Sequence, residues 1–378
     1  MSSGLLKSLK LRAEDLDTLI QAVRTEGYQL HGPVLHNRAI TYGEITSATD
    51  LPQGWTDEQE GGRYRVKRRS DSAYFGYSVG PHSWKQFLQL PRRPIWKASN
   101  TGGELQILEI EEPPVKYAFL GVRSCELHGI AIQDKVFTHG EYKNSSYEKR
   151  RAGLFTIAVE CTTAASTCFC TSMNTGPEVQ LASDLVLTEV IDIKQHFFLI
   201  RSGTPAGKQV LNQLPIESAT PEETSDAHQA VESTAEKIRS GPRQFDSSDL
   251  KELLYRNYDS PIWEQVADRC LSCANCTLAC PTCFCSTVED TTDLTGAEAE
   301  RWERWDSCFT ADLSYLSGGS VRADTRSRYR QWMTHKLATW YDQFDTSGCI
   351  GCGRCITWCP VGIDITEEVQ KIRAQEQK

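Results

Sequence analysis

The alternation of apolar and polar residues predicts one helix followed by many short strands in the first half of the chain. Residues 13–26 place apolar side chains at helical spacing behind an acidic start, which is typical of an amphipathic helix. From Gln29 to about Ile200, the apolar residues form short β-type runs separated by Gly, Pro and Asn. The clearest runs are RYRVKRR, LQILEI, KYAFLGV, GLFTIAV, DLVLTEVI and HFFLI. Residues 1–205 are therefore predicted to form a mixed α/β domain.

The next stretch, residues 206–262, is polar and predicts a helical connector. Thr220, Pro221 and Glu223 have the signature of a helix start, with a capping hydroxyl, a proline at the first helical position and a glutamate at the third. Asp249 stands before a second apolar run, LKELLYR, and indicates another helix start. The predicted fold class is α+β, with the connector joining the first domain to a cysteine-dense C-terminal region.

The composition is that of an ordinary globular protein with a mild acidic excess. Of the 378 residues, 39% are apolar and 24% are charged, and the formal net charge is −9. This balance argues against a nucleic-acid partner. No apolar run approaches the roughly 18 residues that cross a bilayer, and the first residues become acidic and amphipathic too soon for a signal peptide. We expect a cytoplasmic protein without a membrane span.

Cysteine is unusually abundant, with 15 in the chain. Because cytosolic thiol buffers keep disulfides rare, metal ligation is the better explanation for so many. Eight of the cysteines form two runs with the spacing C-x2-C-x2-C-x3-C, each followed by proline. The runs are Cys270, Cys273, Cys276, Cys280 and Cys349, Cys352, Cys355, Cys359. This spacing is the bacterial ferredoxin pattern for 4Fe-4S cubanes and predicts a ferredoxin-like dicluster domain at residues 263–378.

The ferredoxin pattern also predicts which thiols act together. Three closely spaced thiolates wrap one cubane, and the fourth reaches the other cluster. One cluster would take Cys270, Cys273, Cys276 and Cys359, and the other Cys349, Cys352, Cys355 and Cys280. Two zinc sites are the alternative, although zinc sites usually use separated pairs of ligands.

A long insert separates the two cysteine runs. Residues 281–348 stand between them, far more than in a compact ferredoxin, and residues 286–345 form the predicted insert. The insert contains an aromatic-rich helical segment, YRQWMTHKLATWYDQF. If the insert holds the two loops apart, the fourth thiol of one run cannot reach the cluster of the other run. The presence of the clusters does not depend on this crossed ligation.

Four cysteines in the first domain are predicted to hold a third 4Fe-4S cluster. Cys125 and Cys161 directly follow β-type runs, where parallel strands commonly present ligands at a sheet edge. Cys168 and Cys170 complete a set of four thiols, although their C-x-C spacing is unusual for a cubane. The alternative is that some of the four are buried apolar thiols, which is common for free cysteine.

Three cysteines remain, and their role stays open. Cys283, Cys285 and Cys308 could hold a further cluster with Asp306 or a histidine as a fourth ligand, or form a packed layer beside the second cluster. We expect the first T-C-F-C stretch, 167–170, to provide cluster ligands, and the second, 282–285, to pack beside the second cluster as structural support. The chain contains no dinucleotide-binding glycine motif, no Walker A motif and no Ser/His/Asp arrangement. No catalytic residues are predicted, and the chain is expected to carry electrons without a substrate-converting site.

Motifs along nearly the whole chain resemble one family. The chain resembles the beta subunits of soluble NADP-linked sulfhydrogenases, which are cytosolic NiFe-hydrogenases, and is also similar to the electron-transfer subunits of anaerobic sulfite reductases. The motifs are YFGYSVGPHSWKQFLQLP (74–91), LGVRSCELHGIAIQDKVF (120–137), the C-x6-C-x-C run at 161–170, CLSCANCTLACPTCFC (270–285), ERWDSC (303–308) and CIGCGRCITWCP (349–360).

The resemblance implies an electron-transfer subunit with several 4Fe-4S clusters in a hydrogenase complex. Its partners would be a flavin subunit that handles NAD(P)H, a small iron–sulfur subunit, and a NiFe catalytic subunit. The same relay in an anaerobic sulfite reductase is the alternative. Two other possibilities are a non-redox scaffold that uses metal only to hold its fold, and a polysulfide-reducing site at the three remaining thiols.

Overall fold

A computed structural model describes residues 8–101, 104–110 and 112–376. The first residues, on which the expectation about a signal peptide depends, lie outside this description. Sixteen strands occupy the described ranges: Leu9–Arg12 (β1), Gln29–His36 (β2), Ala39–Glu44 (β3), Trp55–Glu60 (β4), Arg63–Arg68 (β5), Arg92–Thr101 (β6), Glu104–Glu109 (β7), Tyr117–Val122 (β8), Phe155–Val159 (β9), Leu185–Ile191 (β10), His196–Ser202 (β11), Glu217–Ser218 (β12), Ser286–Thr292 (β13), Glu298–Trp305 (β14), Tyr315–Leu316 (β15) and Gly319–Ser320 (β16).

Thirteen α-helices occupy the same described ranges. They are Leu16–Thr25 (α1), Lys85–Leu88 (α2), Ser124–Thr138 (α3), Ser145–Ala152 (α4), Pro205–Leu211 (α5), Pro221–Arg239 (α6), Leu250–Arg256 (α7), Ile262–Ala267 (α8), Asn275–Leu278 (α9), Thr325–Thr334 (α10), Trp340–Phe344 (α11), Arg354–Thr357 (α12) and Ile365–Glu376 (α13). A π-helical turn, His335–Thr339, joins α10 to α11. The mixture confirms the predicted α+β class.

An eight-stranded sheet forms the centre of the first half, in the order β12-β1-β11-β10-β9-β8-β2-β3. The four adjacent strands β10, β9, β8 and β2 run parallel, and antiparallel strands complete both edges. All six β-type runs found in the sequence form strands, which confirms those predictions. The runs that form β8, β9 and β10 are buried on both faces, because helices cover both sides of a parallel sheet, whereas β5 and β7 are mostly exposed and belong to other sheets.

Helices on each face of this sheet bury alternate side chains of its strands. In β8, Ala118 and Leu120 pack on one face with α1 and α5, while Phe119 and Val122 pack on the other with α3 and α4. The predicted N-terminal helix is confirmed as α1, preceded by a 3₁₀ turn at Ala13–Asp15. The carboxyl ends of the parallel strands remain free to present loops.

The connector is helical, as its capping residues predict. Thr220 accepts a hydrogen bond from the Glu223 backbone N–H, and the Glu223 carboxylate accepts one from the Thr220 N–H, which completes a capping box at the start of α6. Asp249 precedes α7, also as predicted, although its side chain makes no capping bond. The proposed boundaries near residues 205 and 262 stay predictions; β12 joins the large sheet from beyond the first of them.

A second sheet, in the order β13-β14-β6-β7, joins the two halves of the chain. Strand β14, from the predicted insert, pairs antiparallel with β6, from the predicted first domain. The insert therefore continues a sheet that the first half began, while its aromatic segment forms α10, the π-helical turn and α11, as predicted. Among the described residues, no helix combines the length and apolarity that a membrane span requires.

Candidate iron–sulfur centres

The two ferredoxin-type runs fold into loops with the same backbone conformation. In the first run, Ser272 and Ala274 have φ angles of +51° and +66°, and at the matching positions of the second run Gly351 and Gly353 have +66° and +76°. Left-handed residues next to right-handed ones turn backbone N–H groups toward a common centre, an arrangement found around many Fe–S sites. A short helix then follows each loop, α9 after the first and α12 after the second.

Backbone amides of these loops point at cysteine sulfurs. Such N–H···S contacts favour a charged thiolate and are one of the factors that set cluster potentials. The donor–acceptor pairs are Ser272 N to Cys270 Sγ (3.4 Å), Gly351 N to Cys349 Sγ (3.4 Å) and Ile363 N to Cys359 Sγ (3.3 Å).

The first crossed set of thiols lines one cavity. Phe309, Tyr329, Trp332 and Ile363 form part of its walls, and Cys355 of the second set also lines it; the four thiols of the first set are Cys270, Cys273, Cys276 and Cys359. The thiol from the second run thus lies with three from the first, despite the long insert between the runs. The insert does not separate the loops, because α10, from the insert, packs against this same cavity.

The second crossed set is buried beside the first. Burial raises the pKa of the Cys349 thiol to about 12 and that of Cys355 well above its usual range. The charges of Cys349, Cys352 and Cys280 raise the pKa of Cys355 further, so the four thiols lie together. The charge of Cys276, from the first set, also raises the pKa of Cys355, so the two sets lie next to each other.

The four N-terminal cysteines also come together. Cys125 lies in the first turn of α3, directly after β8, and Cys161 lies two residues after β9, the parallel neighbour of β8. Cys168 and Cys170 come from the loop between β9 and β10. Burial raises the pKa of Cys125, and the charges of Cys352, Cys170 and Cys161 raise it further. The ends of the parallel strands β8 and β9 therefore carry two of the four cysteines, and the loop between β9 and β10 carries the other two.

The loop of the N-terminal group packs directly on the second ferredoxin-type loop. Phe169 N donates to Gly351 O at 2.9 Å, and Thr175 Oγ1 donates to Ile350 O at 2.6 Å. The approach is so close that a Cβ atom on Gly351 would lie 2.6 Å from the Cα atom of Cys170. The three thiol groups are thus consecutive neighbours, with the second ferredoxin-type set in the middle.

Two buried arginines lie where the N-terminal thiol group meets the second ferredoxin-type set. The Arg123 guanidinium faces Cys161 and lowers the pKa of that thiol, against the larger effect of burial, which raises it. Arg354 does the same to Cys352. Sequence reasoning missed both residues, because an arginine beside a cysteine motif is indistinguishable from an ordinary surface charge.

The three remaining cysteines lie beside the second set with two buried lysines. The Lys336 Nζ atom lies 3.4 Å from Cys280 Sγ, and the Lys85 Nζ atom donates to Cys283 O at 2.9 Å. A hydrogen bond from Cys283 lowers the pKa of Cys280 well below its usual range, and the charge of Lys336 lowers it further. Both lysines escaped the sequence analysis, since nothing in their local pattern indicates burial.

The donor chemistry of the three four-thiol groups fits iron–sulfur clusters. Each offers thiol groups alone, and thiolate is the usual ligand of a 4Fe-4S cubane. Burial raises the pKa of most of these thiols, so a bound cation would have to stabilise the thiolate form. Within the described ranges, no three His, Cys, Asp or Glu side chains are grouped as ligands of a single metal ion. The assignment of ligands to clusters stays a prediction.

Comparison with known proteins agrees with the motif-based resemblance. Residues 269–363 match the family model of the 4Fe-4S dicluster domain. No solved structure matches the chain significantly. Over 371 residues the chain is 27% identical to Sulfhydrogenase 2 subunit beta of Pyrococcus furiosus, an alignment that covers 97% of this chain and 99% of that protein. The chain therefore carries a C-terminal 4Fe-4S dicluster domain and is similar, over nearly its full length, to a sulfhydrogenase beta subunit.

Proposed function

We propose that the chain is the electron-transfer subunit of a cytosolic hydrogenase complex. It would relay single electrons between a flavin subunit that handles NAD(P)H and a small iron–sulfur subunit with its NiFe catalytic partner. The observation that carries this proposal is the continuity of the three thiol groups, in which Cys352 neighbours the N-terminal group and Cys355 neighbours the first ferredoxin-type group. The name of the sulfhydrogenase relative supports the kind of complex.

Twelve cysteines would hold three 4Fe-4S clusters. The sets are Cys270, Cys273, Cys276 and Cys359, then Cys349, Cys352, Cys355 and Cys280, and finally Cys125, Cys161, Cys168 and Cys170. A bound cubane supplies reversible one-electron transfer. The chain itself contributes the thiols and the N–H donors at Ser272 and Gly351. Burial limits contact with water at five of the twelve thiols, whereas Cys273 is exposed; the buried thiols are Cys125, Cys170, Cys280, Cys349 and Cys352.

The loop contacts support one order of the three proposed clusters. Because Phe169 and Thr175 bond to the loop of residues 349–353, the N-terminal group is held against the second ferredoxin-type set. The first set lies beyond it, on the side of α9 and α10. A relay of this order would have one end in the first half of the chain and the other in the C-terminal region.

Anaerobic preparation of the full chain tests the proposal. Iron and acid-labile sulfide should be present, and a redox titration followed by EPR should show reversible one-electron signals. Cys125→Ser, Cys273→Ser and Cys352→Ser should each lower the iron content by about four per chain. Ser47→Ala, far from the cysteines in sequence, is the control and should leave the count unchanged. A colourless, iron-free protein, or metal without reversible reduction, would contradict the relay and favour a scaffold.

The partner complex needs a separate test. The complex purified from its source organism should contain nickel and a flavin subunit if it is a hydrogenase. Siroheme without nickel would instead support the alternative, an anaerobic sulfite reductase. The name of the relative favours the hydrogenase.

A further inference from the structure

We propose that Cys283, Cys285 and Cys308 hold a fourth iron–sulfur centre, whose negative charge is neutralised by the buried lysines Lys85 and Lys336. This inference rests on the proposed electron-transfer function and extends it. It also assigns the second T-C-F-C stretch, 282–285, a ligand role in place of the supporting role expected from the sequence.

A β-hairpin brings together the two segments that carry the three cysteines. Ser286, at the start of β13, pairs with Trp305, at the end of β14, so the residues that flank this pair meet at the open end of the hairpin. Asp306 N donates to Cys285 O at 2.8 Å and continues the pairing by one step. Cys308 follows two residues later. Its charge raises the pKa of the Cys283 thiol, and the charge of Cys285 raises the pKa of the Cys308 thiol.

Two ammonium groups lie buried against these thiols. Lys85 is 5% exposed and Lys336 is 4% exposed. The Lys85 ammonium lies 3.8 Å from the ring centroid of Trp305, and the Lys336 ammonium donates to Thr282 Oγ1 at 2.9 Å. Both ammonium groups therefore face the segment 282–285, and Lys85 also faces the end of β14.

Neither ammonium has a carboxylate partner among the residues that the structure describes. An unpaired buried charge costs several kcal/mol, so proteins pair such groups or use them beside bound ions. The Cys280 thiolate beside Lys336 can offset one of the two ammonium charges, but neutral thiols cannot supply a second negative charge. Thiolates bound to iron can, because metal binding removes the thiol protons and the thiolate ligands outweigh the positive charge of a cubane core.

One neighbouring cluster does not account for the whole arrangement. Lys336 contacts Cys280 of the second set directly, whereas Lys85 donates to the backbone oxygen of Cys283. Among the thiols, Cys283 has the largest electrostatic effect on Lys85, followed by Cys280 and then Cys285. Three thiols can occupy three iron corners, which leaves one corner for another ligand. Asp306 lies beside Cys285 and is the carboxylate that this segment offers for that corner; its Oδ1 atom accepts from Ser307 N and Thr310 Oγ1, so its Oδ2 atom would be the ligand.

The iron content of the anaerobically purified full chain tests this inference. Three clusters predict about twelve irons per chain, and a fourth predicts about sixteen. The triple variant Cys283→Ser, Cys285→Ser, Cys308→Ser should lose about four irons and retain the EPR signals of the other clusters. Ser286→Ala, directly after the second T-C-F-C stretch, is the matched control and should retain all of the iron.

Two outcomes would overturn the fourth centre. One is a wild-type chain with about twelve irons by chemical analysis and Mössbauer spectroscopy, a result that stands even if the triple variant fails to fold. The other is a folded triple variant with the iron content of the wild type. Either outcome leaves the relay intact if reversible reduction persists, whereas loss of all iron would reject the relay as well.

Discussion

The side chains of Arg354 and Glu126 form an ion pair that is almost completely withdrawn from water, with exposed fractions of 0% and 1%. Glu126 lies one residue after Cys125 of the N-terminal group, and Arg354 lies between Cys352 and Cys355 of the second ferredoxin-type set. The pair therefore joins the two segments that carry neighbouring thiol groups.

Surrounding groups form hydrogen bonds with both members of this pair, although the Nη1 atom of Arg354 is buried without a hydrogen-bond partner among the described residues. The Glu126 carboxylate also accepts from Tyr42 Oη at 2.7 Å and from Trp84 Nε1 at 3.1 Å. The Arg354 guanidinium also donates to the backbone oxygen of Gly80 at 3.1 Å. Because a buried pair needs such additional hydrogen bonds to offset its desolvation, the network holds the segment before α2 against both thiol groups.

Glu126→Leu should destabilise the folded chain strongly, because it leaves the Arg354 charge buried and unpaired. We expect a loss of about 3–5 kcal/mol in the free energy of unfolding. The double variant Glu126→Leu, Arg354→Met should lose less than the single variant. Denaturant unfolding of the anaerobic, iron-loaded protein measures the difference.

The exposed ion pair between Arg239 and Glu232 is the control for this measurement. Neutralising Glu232 should change the stability far less, because both side chains are more than half exposed. Equal losses in the single and double variants would show that Arg354 is not the group that Glu126 compensates.

Gly351→Ala should disturb the contact between the N-terminal group and the second ferredoxin-type loop. Its φ of +66° disfavours a side chain, and a Cβ atom there would also lie 2.6 Å from Phe169 O. We expect a conformational penalty of about 1 kcal/mol and a further 1–3 kcal/mol from overpacking. Thermal unfolding under anaerobic conditions checks the total.

Gly27→Ala separates the two contributions to this effect. Gly27 has a φ of +85° but no heavy atom within 4 Å of the added Cβ atom, so only the conformational penalty remains. Ser272, at the equivalent position of the first loop, already carries a side chain with φ +51°. Similar losses for Gly351→Ala and Gly27→Ala would show that the loop contact contributes little.

Local patterns predicted most of the fold in the first half. The apolar runs of β8, β9 and β10 are short and rich in β-formers, and Thr220 with Glu223 marked the start of α6, so each signal lay within one segment. Strands β13 and β14 left no such signal. Their sequences, STVEDTT and EAERWERW, are polar, and their sheet depends on pairing with β6, about two hundred residues earlier.

The cysteine groups were predictable to a similar extent. Spacing anticipated the grouping within each ferredoxin-type run, because one compact cofactor constrains how far apart its ligands can stand. The packing of Phe169 on Gly351 could not be predicted, since it joins segments that no spacing rule connects. The burial of Lys336 and Arg354 was also hidden, because charged residues are usually exposed.

His31 should make the stability of the chain depend on pH. Burial lowers the pKa of His31 below its usual value of 6.5, although the Gln29 backbone and Glu44 partly oppose this shift. The folded chain therefore binds fewer protons at His31 than the unfolded chain. The contribution of neutral His31 to the free energy of unfolding is fully present above pH 6.5 and is lost as the pH falls from 6.5 toward the pKa of His31 in the folded chain. The thermal midpoint should fall less between pH 8 and pH 5.5 in His31→Gln than in the wild type.

His139→Gln replaces an exposed histidine and serves as the control for this experiment. It should follow the wild-type pH dependence. The prediction fails if His31→Gln follows the wild type as well, because the proton uptake would then occur at other groups.

Lys336→Met should lower the reduction potential of the cluster at the second ferredoxin-type set. The Lys336 ammonium lies 3.4 Å from Cys280 Sγ, and a nearby positive charge favours the reduced, more negative form of a cluster. We expect a shift of about 60 mV to more negative values, which corresponds to a tenfold change in the equilibrium constant of a one-electron couple. An anaerobic redox titration followed by EPR measures the shift.

Two further variants show whether charge causes the shift. Lys336→Arg keeps a positive charge at this position and should retain most of the wild-type potential, whereas Lys208→Met removes an exposed lysine and should leave the potential unchanged. If Lys336→Met and Lys336→Arg shift the potential equally, altered packing around Thr282 and Gly348 is the cause. A shift to more positive values would contradict the placement of Lys336 beside the cluster, because removing a cation cannot favour the added electron.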